Sequence, residues 1–357
     1  MARAMNFNAG PAALPLEALE RAQRELVDFA GTGMSIIEHS HRGKAYEGVH
    51  NEAISLIKEL LSIPDTHQVL LLQGGASQQF AMVPMNLLPQ GKSADYIVTG
   101  AWGKKAFQEA KTVGTVRALG DAEAKPARVP KQSELSLDGS AAYVHYTSNE
   151  TIYGTQWQAP PRAPAPLVCD ASSDIFSRPL DLTNHALIFA GAQKNLGPSG
   201  VSLVIARKSF IETGRRDLPP LARYHTYAAE QSMHNTPNTF GVFMIGEVVA
   251  WIRAQGGLAA MAERNARKAK VLYDFLDHSK AWRGHAKPGS RSLMNVTFRG
   301  ATKELEETML ARAEASGLSG LRGHRTVGGL RASIYNAFPE EGVHRLVKLL
   351  DDVEHGR

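Results

Sequence analysis

Short apolar runs bounded by Gly, Pro, Asn or Asp alternate along the chain with longer stretches in which apolar residues recur at helical spacing. The runs at 68–72, 96–99, 142–146, 167–170, 187–190 and 201–206 have the length and composition of strands buried on both faces of a sheet. Helical spacing predicts a helix over 15–31, opened by Pro15 and stopped at Gly31, with Leu19, Leu26 and Phe29 as its apolar positions. A second is predicted over 44–61 from Tyr46, Val49, Ala53 and Leu60, and a third over 76–88, entered through Gly74-Gly75. Alternating strands and helices predict an α/β fold with a mainly parallel sheet. The polar stretch 121–138, with Pro126 and Pro130, and the stretch 215–220 read as surface connections.

The pattern changes near Asn238. A long apolar helix is predicted over 238–255 and a polar, alanine-rich one over 258–278. A strand at 292–298, a helix at 302–316, a strand at 329–334 and a closing helix at 340–354 follow. The expected division is an N-terminal segment 1–15 that joins the smaller unit or the site, a large domain 16–255, and a small α+β domain 256–357. No internal repeat is visible.

Composition narrows the function classes. With 40 Lys+Arg against 35 Asp+Glu the net charge is +5, with no run of five or six like charges, so nucleic acid is not the expected partner. The single cysteine, Cys169, excludes a disulfide framework within the chain and any multi-cysteine metal site. No apolar run reaches the roughly 18 residues of a membrane span, and the first residues lack an apolar signal core. The expected setting is a reducing cytoplasm with no membrane partner.

Candidate chemistry collects at the ends of the predicted strands. In ALIFAGAQKNLGPSG an apolar strand runs out to Lys194 among Gly191, Gly197 and Gly200. A lysine beside a buried strand is costly to charge, and the glycines leave the room a Schiff-base lysine needs. Asp170 ends the run PLVCD, 24 residues before Lys194, where open α/β sheets bind ligands. Such an aspartate suits a pyridinium nitrogen, and taken alone it also suits a helix N-cap. The turn Gln73-Gly74-Gly75-Ala76-Ser77 joins a strand to a helix and offers free amides to an anion, yet matches neither a dinucleotide nor a P-loop fingerprint. Trp102 stands at another strand mouth, placed to stack on a flat ring or to fill a core. Thr151 follows a further strand end. His39-Ser40-His41-Arg42 and Gly323-His324-Arg325, with Arg331 beyond, suit phosphate or carboxylate better than a metal, because His-x-His lacks a third ligand. No metal is expected.

NFNAGPAALP, SHRGKAYEGVH, QGGASQQFAMVPMNL, NETIYGT, AGAQKNLGPSG, NTPNTF and GHRTVGGLRASIYNA follow one another over essentially the whole chain. Together they resemble the phosphoserine aminotransferase family, pyridoxal 5'-phosphate enzymes of aminotransferase class V with the fold type I architecture. The resemblance implies Lys194 as the lysine that holds the cofactor, Asp170 on the pyridine nitrogen, Trp102 stacked on the ring and Thr151 in contact with it. It implies a phosphate site of Ala76, Ser77 and Gln193, completed by Asn235 and Thr236 from a second subunit of a homodimer. His41, Arg42, His324, Arg325 and Arg331 would grip substrate anions. The implied reaction is a ping-pong transamination between L-glutamate and 3-phosphohydroxypyruvate giving O-phospho-L-serine and 2-oxoglutarate, in serine biosynthesis and, in many bacteria, also in pyridoxine biosynthesis.

Two departures stand out. Some members carry Gly-Arg at the positions of Ala76-Ser77, so one cationic contact is missing here. Others carry Ser-Ser where this chain has Asn8-Ala9, leaving the backbone as the contact expected there. The alternatives are an alanine–glyoxylate-type relative or a non-catalytic, pyridoxal-phosphate-binding one. Retention of both Lys194 and Asp170 argues against the latter. A cysteine desulfurase would need a mobile-loop cysteine, whereas Cys169 adjoins Asp170 and points to the other side of its strand.

Overall fold

The computed structural model describes residues 3–357; positions 1 and 2 of the N-terminal segment lie outside the described residues. The six apolar runs pair with one another. Strands His67–Gln73, Ser93–Ile97, Thr115–Leu119, Val144–Thr147, Leu167–Asp170, His185–Gly191 and Val201–Arg207 form one sheet. Named by first residue, the order across it is His67, Val201, His185, Leu167, Val144, Ser93, Thr115. Val201–Arg207 runs against both its neighbours, and the other adjacent pairs are parallel.

Each buried strand feeds two cores, because successive side chains leave opposite faces of the sheet. Leu71, Tyr146, Cys169, Ile188 and Leu203 join one apolar cluster, covered by helices Lys44–Leu60 and Thr239–Ala254. Leu70, Leu72, Tyr96, Val168 and Phe189 join another, covered by helices Ala76–Leu87 and Ala101–Lys111. At about 25 cal/mol per Å² of apolar surface removed from water, this double coverage is the main force holding the sheet. Apart from the edge strand Thr115–Leu119, it leaves the strand ends open to solvent and ligands.

A third cluster gathers Phe7, Leu272, Trp282, Phe298, Leu330 and Leu350 around a three-stranded sheet of Trp282–Gly284, Asn295–Gly300 and Leu330–Ser333. Helix Gly257–His278 spans the junction: Leu258 and Met261 pack in the first cluster, Ala269 to Leu276 in the third. Helices Lys303–Ala315 and Glu340–Glu354 complete this unit. The short strand Met5–Asn6 pairs in parallel with Leu318–Ser319. Among the described residues, no single helix is long and apolar enough to cross a membrane.

One expectation needs correction, and two elements lie outside what the pattern predicts. The helix expected over 15–31 is Leu16–Glu25, followed by a separate turn at Phe29–Gly31. Its buried residues are Ala18 and Ala22, while Leu19 and Leu26 face outward. The stretch 115–119 is a strand that the apolar pattern did not reveal, because as an edge strand it stays largely exposed. Helix Ala101–Lys111 was also unpredicted, and its capping group lies far away in sequence.

Candidate active site

Because the strands are nearly all parallel, the segments leaving Gln73, Ile97, Thr147, Asp170 and Gly191 emerge at one edge of the sheet. That edge collects Ala76, Trp102, Thr151, Asp170 and Lys194. Lys194 is only 8% exposed. Its Nζ donates to Thr151 Oγ1 (2.6 Å) and to Ser173 Oγ (2.7 Å) and stands 5.5 Å from the centroid of the Trp102 ring. Burial pulls its pKa from 10.5 down to about 8, opposed by the negative charges of Asp170 and Glu150. The buried Asp170 carboxyl is moved the other way, upward, by desolvation. Hydrogen bonds to its Oδ1 from Ser172 N (3.0 Å) and Ser172 Oγ (2.6 Å) oppose that rise, as does the Lys194 charge. Cys169 is buried on the opposite face, and desolvation pushes its thiol pKa up, so it is no nucleophile.

Trp102 is held from a distance. Glu150, 1% exposed, accepts from Gly103 N (2.8 Å) and Trp102 N (3.2 Å), capping helix Ala101–Lys111 at its positive end. A side chain at Gly100 would put its Cβ 2.5 Å from Glu150 Cδ, so this cap requires glycine there. Burial pushes the Glu150 pKa up to about 7. Sequence reasoning missed both Glu150 and Ser173. The first acts through a contact 47 residues away, and the second sits in a DASSD turn that reads as local capping.

Helix Ala76–Leu87 starts without a side-chain cap or an acidic residue in its first turn. A Cβ at Gly191 would lie 3.2 Å from Ala76 N, so glycine keeps this amide approachable. The 190s turn is tied to the N-terminal segment, as Ala12 N donates to Gln193 O (2.9 Å). Ala9 O accepts from Tyr335 OH (2.8 Å), whereas Asn8 turns back on Asn6. Asn235 and Thr236 lie just before helix Thr239–Ala254, and Gln73 Nε2 of the same chain donates to Thr236 O.

Arg331, on strand Leu330–Ser333, has a buried Nε with no hydrogen-bond partner, and burial draws its pKa down. The cations of Arg331 and Arg325, after burial, lower the pKa of His324. These three residues therefore lie within electrostatic reach of one another, and the two guanidiniums disfavour the charged form of His324. His41 and Arg42 precede helix Lys44–Leu60. His41 Nε2 is buried without a partner and Arg42 is exposed. Among the described residues, neither side chain is hydrogen-bonded or ion-paired to Arg331, His324 or Arg325.

A buried amine, a buried carboxyl, an indole face and an open helix N-terminus along one strand edge fit a flat, electron-withdrawing aldehyde with a phosphate arm. The unsatisfied Arg331 Nε beside them fits a substrate carboxylate.

Residues 4–346 match the family model of aminotransferase class V. The chain is 52% identical to the phosphoserine aminotransferase of Lysinibacillus sphaericus (strain C3-41) over 99% of its own length and 98% of that protein's. The structure of phosphoserine aminotransferase from Bacillus circulans subsp. alkalophilus superposes with a TM-score of 0.97 at 50% identity, covering 99% of each chain. A PLP-bound phosphoserine aminotransferase from Trichomonas vaginalis superposes with a TM-score of 0.94 at 40% identity, covering 98% of this chain and all of that one.

Proposed function

The chain belongs to aminotransferase class V and, within it, to the phosphoserine aminotransferase family, and from that premise we propose that it transfers the amino group of L-glutamate to 3-phosphohydroxypyruvate, with pyridoxal phosphate as cofactor. The products are 2-oxoglutarate and O-phospho-L-serine. One observation carries the reading: a buried Lys194 amine held between Thr151 and Ser173, 5.5 Å from an indole face.

Pyridoxal phosphate, when bound, supplies an electron sink for the substrate carbanion and carries the amino group between half-reactions. Lys194 Nζ takes the proton from the substrate α-carbon and would deliver it to C4′ of the cofactor, the carbon that carried the aldehyde. An amine brought down to about 8 by burial is suited to both tasks near neutral pH. Thr151 and Ser173 accept from its N–H groups and fix its direction. Asp170 pairs with the pyridine nitrogen, and its Ser172 hydrogen bonds hold the carboxylate in place. Trp102 covers the ring face and excludes water.

The amides of Ala76 and Ser77, with Gln193, hold the phosphate, and Asn235 and Thr236 from a second copy complete the site. Arg331 grips the α-carboxylate. His324 and Arg325 grip the distal anion together with His41 and Arg42 from the second copy. Support for this homodimer comes from the surface: Leu16, Leu19, Leu26, Val27, Met34 and Ile37 are exposed large apolar residues, all just before His41-Arg42. A large domain 16–255 and a small domain 256–357, the latter joined by segment 1–15, meet at the site in this reading, and the lone buried cysteine suits a reducing cytoplasm.

Half-reactions with phosphoserine, glutamate and alanine, followed by cofactor absorbance, test the proposal. Arg331→Ala is expected to cost on the order of 2–5 kcal/mol on every substrate. Arg42→Ala and Arg325→Ala are expected to cost that on the two substrates with a distal anion and little on alanine. An unmodified protein that prefers alanine would instead support the alanine–glyoxylate alternative.

A further inference from the structure

Helix Ala76–Leu87 presents uncapped amides and the positive end of its dipole, and no acidic side chain lies in its first turn. Lys105 Nζ nevertheless stands 3.4 Å from Ser77 Oγ, at that same positive end. It also lies 5.8 Å from the centroid of the Trp102 ring. Among the described residues Lys105 forms no ion pair, whereas its neighbour Lys104 pairs with Glu123 at 3.6 Å. A cation set against a helix N-terminus is unfavourable by itself, and becomes favourable once an anion lies between the two.

The indole thus has an ammonium at each of two places, the Lys194 Nζ at 5.5 Å and the Lys105 Nζ at 5.8 Å. Trp102 and Lys105 are three residues apart on helix Ala101–Lys111, so they occupy the same face of it. The helix fixed by Glu150 therefore offers a stacking surface and a charge to the same ligand. The turn Ala76-Ser77 supplies amides and a hydroxyl but no charge of its own.

We propose that Lys105 is the cation of the cofactor-phosphate site, pairing with the phosphate that the Ala76 and Ser77 amides hold and making the site selective for the phosphorylated cofactor. This rests on the phosphate placement given under Proposed function. A lysine suits the task because a compact ammonium serves a phosphate as a point charge.

The test uses the full chain, freed of cofactor and titrated with pyridoxal phosphate or with pyridoxal, in Lys105→Gln, Lys105→Arg and Lys104→Gln beside the unmodified protein. Lys105→Gln is expected to raise the Kd for pyridoxal phosphate about tenfold, which is about 1.4 kcal/mol, and to leave pyridoxal binding unchanged. Lys105→Arg retains the charge and is expected within about threefold of the unmodified protein. Lys104→Gln is expected to match it. Added salt should weaken phosphate-dependent binding in the unmodified protein more than in Lys105→Gln. Equal Kd values for Lys105→Gln and the unmodified protein overturn the role of Lys105 and leave the amide cradle standing. Equal losses on both ligands overturn it too, since the effect then runs through Trp102. If the unmodified protein binds pyridoxal as tightly as pyridoxal phosphate, the phosphate placement fails, and this inference with it.

Discussion

In the proposed reading Lys194 captures the cofactor's aldehyde, so the speed of capture titrates its amine. Burial brings its pKa from 10.5 to about 8, a change worth about 3 kcal/mol between the two protonation states. At pH 7.5 an ordinary lysine is neutral roughly once in a thousand molecules, and one at about 8 is neutral roughly once in four. The neutral nucleophile is therefore enriched on the order of 200-fold. Asp170 is the largest charge opposing the shift, so Asp170→Asn should let the pKa fall further. The assay mixes the cofactor-free chain with excess pyridoxal phosphate between about pH 6 and pH 10 and follows absorbance in a stopped-flow instrument. For the unmodified protein the rate should climb with pH and level off near 8, and for Asp170→Asn the bend should move to lower pH. Stability gives a second reading of the same group. With its folded pKa below the unfolded one, Lys194 binds a proton in the unfolded chain but not in the folded one between about 8 and 10.5. Its contribution to stability therefore rises with pH through that window and is lost as pH falls to 8. A rate profile that bends near 10, or a bend that moves upward in Asp170→Asn, would refute the account of the site as a desolvated amine balanced by Asp170.

Two further outcomes concern buried ionisable residues. Glu150 has a folded pKa raised from 4.5 to about 7, so the stability it contributes is whole below 4.5 and is lost as pH rises through 7. Glu150→Gln should remove that loss. Urea midpoints should show the unmodified protein falling by roughly 3 kcal/mol relative to the variant between pH 4.5 and pH 8, and parallel pH profiles would contradict it. Lys268 is fully buried and donates to the carbonyls of Ile334 (2.9 Å), Tyr335 (2.6 Å) and Phe338 (3.2 Å). Lys268→Met leaves three carbonyls unpaired and should cost about 3 kcal/mol or more in thermal or urea unfolding; unchanged stability would show that the carbonyls find other donors.

What the sequence made legible follows from where each signal is stored. The strand at 167–170 is evident because its apolar run is buried on both faces, and the structure gives Leu167–Asp170. Asp170, Thr151, Trp102 and Lys194 are each legible because each lies within a few residues of a strand end, and parallel strands bring such ends together. The edge strand Thr115–Leu119 gave no signal because it buries little. Leu19 and Leu26 mislead for the reverse reason: the helix buries Ala18 and Ala22 and leaves both leucines, one within it and one at its end, at the surface. Glu150 was illegible because its partners, the amides of Trp102 and Gly103, are set by tertiary approach past Gly100.

The charges at the strand edge explain why so many groups must meet there. Lys194, Asp170 and Glu150 are all buried, and desolvation is the first cause of each pKa shift, downward for the amine and upward for both carboxyls. The amine's shift is opposed by both carboxyls and each carboxyl's shift by the amine, whereas Asp170 pushes Glu150 further up, so no one of them can be neutralised without moving the remaining two. A phosphorylated cofactor adds negative charge to this set and cannot be balanced by Lys194, whose amine must be neutral to react. In the proposed reading the balance comes from groups outside these three: the uncapped start of helix Ala76–Leu87, the ammonium of Lys105 at 3.4 Å from Ser77, and the Arg331 guanidinium for the substrate. Separating the anion-holding charges from the proton-moving one lets the site bind anions tightly while keeping a reactive amine at neutral pH.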